Sequence, residues 1–128
     1  FLVTSSVIAI LAQRLVRVIC NECKEAYTPD NESLQSVGIS PESLDGKPIY
    51  RGKGCPACLQ TGYKGRKGIF EFMLLDDAVK NVILKTSDAN AIKRTAVERG
   101  MLTIRQDGAQ KVIDGITTIE EVFRVTQA

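Results

Sequence analysis

The sequence predicts a small α+β protein with an N-terminal helix, a cross-linked module of loops and a β-hairpin, and a C-terminal bundle of about four short helices. Three observations predict it. Apolar residues before Ile19 recur at three- and four-residue steps. The stretch from Cys20 to Gly68 holds all four prolines, all four cysteines and seven of the ten glycines, with no helical periodicity. Beyond Asp76, helix-start signals follow one another in short succession.

The first element is read from Ser5 or Ser6 as cap, with Val7, Ile8, Leu11, Leu15 and Ile19 on one side and Gln13, Arg14 and Arg17 on the other. Ile10, Val16 and Val18 make this helix more apolar than cover for one small core requires. It reads as a core helix of this chain or, alternatively, as one that packs against a neighbouring domain; in isolation it is expected to self-associate, pack on the tail helices or sit against a second molecule. The chain opens on Phe1, which reads as the start of a piece of something longer. The run Phe1 to Ala12 is too short for a membrane span of about 20 residues, and no basic stretch precedes it as a secretory signal requires.

In the middle segment, short helical turns are expected at Glu32 to Val37 and after Ser40-Pro41, and a short strand at Pro48 to Arg51. Ile69 to Leu75 reads as the strand that closes the module. Asp76 or Asp77 then caps a helix through Val79, Val82, Ile83 and Leu84. Ser87 or Asp88 caps one through Ile92, Ala96 and Val97, stopped by Gly100. Thr103 starts a third with Ile104, Val112 and Ile113, and Thr118 a fourth, with Glu121 at capping-box spacing.

Composition narrows the chemistry. At 128 residues, 44% hydrophobic and 25% charged, the chain resembles a soluble globular protein and not a disordered tail or a membrane bundle. A net charge of +2 gives no global reason for a nucleic-acid or acidic-lipid partner. With no histidine, Ser-His-Asp and Cys-His nucleophiles, imidazole bases and mixed Cys/His metal sites are all excluded.

Cys20-x-x-Cys23 and Cys55-x-x-Cys58 are two identical pairs, 31 residues apart. Each can wrap a tight turn that aims both sulfurs at one point, and four thiolates suit one tetrahedral ion, most often zinc. The long separation is no obstacle, because doubling a loop costs only about 0.6 kcal/mol against the ~10 to 16 kcal/mol of a structural zinc site. Four sulfurs leave no open position, so the predicted role is structural and not catalytic. Two disulfides, a catalytic dithiol and a rubredoxin-type iron centre are the alternatives. Lys47, Arg51, Lys53, Lys64, Arg66 and Lys67 surround the second pair without one acidic residue. They balance the excess negative charge of a four-thiolate site or, on the rival reading, make this a zinc-ribbon module that binds nucleic acid.

Three strings resemble the C-terminal part of bacterial type II secretion and type IV pilus assembly ATPases. They are Ala12-Gln13-Arg14-Leu15-Val16-Arg17 running into Cys20; Gly54-Cys55 through Thr61-Gly62-Tyr63, Gly65-Arg66 and Gly68-Ile69; and Gly100-Met101, Asp107-Gly108 and Gly115-Ile116-Thr117-Thr118 in the tail. The resemblance implies three parts: residues 1–19 as the last helix of a RecA-like motor domain, 20–75 as a tetracysteine zinc subdomain with Cys20, Cys23, Cys55 and Cys58 as ligands, and 76–128 as a helical subdomain. It implies an ATP- and Mg2+-using hexamer whose phosphate-binding loop would lie upstream of Phe1, since this chain has none. It also implies partners: the motor domain, neighbouring hexamer subunits and an inner-membrane platform protein at the cytoplasmic face, for which the exposed tips near Lys64 to Lys67 are the candidate contact. No nucleic acid is expected. Retraction motors of the family generally lack the cysteine subdomain, so the cysteines point to secretion or pilus assembly.

Overall fold

The structure, a computed structural model, describes residues 8–127. Its elements run β1 (Ala9–Ile19), β2 (Lys24–Tyr27), α1 (Asn31–Ser36), α2 (Pro41–Leu44), β3 (Ile49–Gly52), a 3-10 turn (Pro56–Cys58), β4 (Tyr63–Leu74), α3 (Asp77–Lys85), α4 (Ala89–Glu98), α5 (Ile104–Ile113) and α6 (Ile119–Thr126). The strands form two antiparallel ribbons, β1 with β4 and β2 with β3. Among the described residues no helix is long and apolar enough to cross a membrane.

The α+β class, the turns after Asp30 and Ser40, the strand at Ile49 and the four tail helices stand as expected. The N-terminal helix does not. Its proposed caps, Ser5 and Ser6, lie with Val7 outside the described residues, and Ala9–Ile19 is the strand β1, paired with β4 from Ala9↔Leu74 to Ile19↔Tyr63. The stretch is apolar at so many positions that helical spacing is met by default. Its β-branched Ile10, Val16, Val18 and Ile19 suit a pleated surface instead. What decides between them is β4, which satisfies the β1 backbone from more than forty residues away in sequence.

β4 starts earlier than Ile69, at Tyr63. The Lys- and Gly-rich segment joins the strand through a bulge, where Lys64 and Gly65 together oppose Val18, and Gly65 takes the left-handed φ of +88° that this needs.

Caps explain where the helices begin. Asp30, Asp76 and Thr118 each accept from the backbone N–H three residues on, and Asp88 from that of Asn90. Thr103 and Gln106 form a reciprocal capping box.

The tail helices are not one bundle; they divide between two cores. Leu34, Val37, Ile39, Leu44 and Ile49 share a core with Ala109 and Val112 of α5 and Ile119 and Val122 of α6. A separate core joins Leu75, just past β4, to Val79 of α3 and Ala96 of α4, with Met73, Ile83, Ile92 and Met101 at its margin. The loop-rich module carries too little apolar surface to close a core by itself, and α5 and α6 complete it. Gly108 lets those two helices meet, since a Cβ there would stand 2.7 Å from Val122 Cγ1.

Candidate metal centre

The four cysteines converge from two turns. Cys20 follows β1 directly, and Cys23 closes the turn into β2. Cys55 caps the 3-10 turn and Cys58 ends it, and the chain leaves through Leu59 and Gln60 at left-handed φ of 55° and 64°. Cys20, Cys23 and Cys58 are buried and Cys55 is half-buried.

The sulfurs form a compact cluster, all within 4.8 Å of one another. Cys20 to Cys55 and Cys23 to Cys58 are both 3.8 Å, and Cys55 to Cys58 is 3.7 Å. A tetrahedron of sulfurs each ~2.3 Å from a central zinc has edges of about 3.8 Å. A disulfide needs ~2.0 Å, and all four cysteines are free. Donor type, number and spacing therefore fit one tetrahedral metal ion.

Backbone amides complete the pocket. Gly54 N–H donates to Cys23 Sγ at 3.3 Å, Cys55 N–H to Cys58 Sγ at 3.3 Å, and Gly62 N–H to Cys58 Sγ at 3.2 Å. Burial disfavours charge on both of the sulfurs that these amides reach. At Cys58 the Gly62 and Cys55 amides outweigh burial and hold the thiol at about 6, whereas burial pushes Cys23, with its single Gly54 amide, up to about 11. Such N–H···S bonds favour thiolate, the form that binds metal.

The six basic residues are all exposed. Arg51 is engaged locally, at 3.1 Å from Glu25 and over the Tyr27 ring at 4.6 Å.

A second constellation, invisible in the spacing of residues, clasps the site to α6. Thr117 Oγ1 donates to the Arg17 carbonyl at 2.7 Å, Ile19 N–H to the Ile116 carbonyl at 2.9 Å, and Tyr63 and Thr118 hydroxyls meet at 2.8 Å. Glu121 is the centre of the clasp. It accepts from Arg17 N–H at 2.8 Å, from the Arg17 guanidinium at 3.0 Å and from Arg124 at 2.9 Å. Thr118 caps the Glu121 N–H as capping-box spacing suggests, but the carboxylate turns away to the arginines.

A family model described as "Type II/IV secretion system protein" matches residues 1–124. The chain belongs to that family. Type II/IV secretion system proteins similar to it include the "Type IV pilus assembly ATPase PilB" of Thermus thermophilus, 42% identical over 98% of this chain and 14% of that protein. The "Type II secretion system protein E" of Pseudomonas aeruginosa is 42% identical over 99% of this chain and 25% of its own length. The "Type II secretion system ATPase E" of Vibrio cholerae gives the same three figures. The chain thus corresponds to a minor part of each of these secretion-system relatives.

Proposed function

We propose that Cys20, Cys23, Cys55 and Cys58 hold a structural zinc ion, and that the chain is the tetracysteine and helical part of an ATPase powering protein secretion or pilin assembly. The observation that carries the reading is a four-sulfur cluster within 4.8 Å, three of its edges at the 3.7 to 3.8 Å of a zinc tetrahedron, in a chain of this family. The zinc would close the two turns on each other and leave no coordination position for substrate. ATP and Mg2+ would bind elsewhere in the parent, because this chain has no phosphate-binding loop. On this reading residues 1–19 belong to the motor domain, with Ala9–Ile19 a strand of it, 20–75 to the cysteine subdomain and 76–128 to the helical subdomain. The parent would work as a hexamer at the cytoplasmic face of the inner membrane, pressing on a platform protein. Support for that placement is the relatives' names and family membership.

The test is metal analysis of protein purified without added metal. One zinc per chain is expected, and Cys20→Ser is expected to lose it and melt at a lower temperature. Unchanged stoichiometry and melting in that variant would remove Cys20 from the ligand set. A red, redox-active iron form would replace zinc by the rubredoxin reading, and tight DNA or RNA binding at physiological salt would favour the nucleic-acid module.

A further inference from the structure

The geometry points to Gly52 as a positioning residue for the metal site: its bare Cα seats Gly62, and the Gly62 backbone holds one cysteine of each pair. Gly62 donates its N–H to Cys58 Sγ at 3.2 Å and accepts the Cys20 N–H on its carbonyl at 2.9 Å. One residue therefore ties the first turn to the second. It is a glycine for two reasons, a left-handed φ of +84° and a Cβ position only 2.5 Å from the Gly52 carbonyl oxygen.

Gly52 is different. Its φ lies outside the left-handed region, so backbone conformation does not demand glycine there. Space does. A Cβ on Gly52 would stand inside the Gly62 carbonyl group, and 2.7 Å from both the Gly62 carbonyl carbon and Cα, all of them backbone atoms that cannot swing aside.

The segment that starts at Gly52 also reaches the remaining buried sulfur. Gly52 pairs with Lys24 at the end of the β2–β3 ribbon, Lys53 N–H donates to the Cys23 carbonyl at 3.3 Å, and Gly54 N–H donates to Cys23 Sγ at 3.3 Å. Contact between Gly52 and Gly62 thus closes a backbone ring around the cluster, with Cys23 on one side and Cys20 and Cys58 on the other. Groups that orient metal ligands in this way typically matter ~10- to 100-fold for metal affinity.

The inference rests on the metal reading, and its test separates the two. In the full chain, Gly52→Ala is expected to release zinc to a competing chelator about 10-fold faster or more, and to shift the thiolate-to-metal charge-transfer bands of the Co2+-loaded protein. Val79→Ala is the control for general destabilisation, because Val79 is buried with Leu75 and Ala96 in the separate core, which contains no cysteine and lies apart from the α6 clasp. It is expected to lower the melting temperature while keeping the wild-type Co2+ spectrum and release rate. If Gly52→Ala matches the wild type or the control in both readouts, the inference is overturned and the metal reading survives; a wild-type chain that takes up no ion overturns both. Should Gly52→Ala not fold, wild-type protein loaded with 113Cd decides. The Gly62 amide proton is expected to show scalar coupling to the metal through Cys58 Sγ, and its absence overturns the inference.

Discussion

Glu121 is 1% exposed and carries the chain's only fully buried charge among the described residues, which it can bear because two guanidinium groups and an amide meet it. Burial works to raise its pKa, but hydrogen bonds from Arg124 and Arg17 prevail and bring it from 4.5 to about 2. A carboxylate depressed in the folded state stabilises fully above its unfolded value and loses that contribution as pH falls through the folded one. The loss therefore falls between pH 4.5 and about 2. Glu121→Gln is expected to cost on the order of 2 kcal/mol at pH 7, after allowing for the half-exposed arginines, and progressively less toward pH 3. Denaturant titrations at several pH values check this, and a cost that does not change with pH would mean that the ion pairs contribute nothing. The spacing to Thr118 marks Glu121 as a first-turn residue, and the structure adds its role as the arginines' partner. Three-residue spacing reveals the Thr118 cap, but Arg17 lies 104 residues from Glu121 and no local pattern connects them.

At the scale of elements, the β1–β4 ribbon has two unlike faces. Ile69 and Val16 are buried against the C-terminal helices, while Leu11 (61% exposed), Leu15 (47%), Phe70 (43%), Phe72 (56%) and Leu74 (58%) share the opposite face, as the register requires. A contiguous apolar face of this kind favours association. The isolated chain is expected to self-associate at high concentration. Leu11→Ser with Phe72→Ser, which sit directly across from each other, is expected to weaken that association by at least about tenfold, since each lost contact is worth ~1 kcal/mol or more. Sedimentation equilibrium checks it, and equal association by the double variant would move the interface elsewhere. The apolar excess of this segment was legible from composition alone. Its secondary structure was not, because a run apolar at nearly every position satisfies the helical and the strand period alike.

At the scale of the whole molecule, the two apolar cores share no residue, and the cysteine cluster adjoins the core closed by α5 and α6 through the Thr117 and Thr118 contacts. Metal removal by a chelator is therefore expected to unprotect the amides of β2, β3 and α6 in hydrogen exchange. The α3–α4 pair, packed through Val79 and Ala96, is expected to exchange as before. Uniform loss of protection would mean that the molecule unfolds as a single unit.

Local chemistry explains what the sequence determined by itself. Cap residues, glycine-rich turns and the two Cys-x-x-Cys pairs act over three or four positions, so the starts of all four tail helices and the four sulfurs that meet could be read from the chain. Family membership was legible too, in strings spread along its length. Only the tertiary structure decided that Ala9–Ile19 is a strand, that the tail helices divide between two cores, and that Glu121 faces Arg17. Each of these depends on a partner far away in sequence, and backbone pairing and burial are settled by which segments meet.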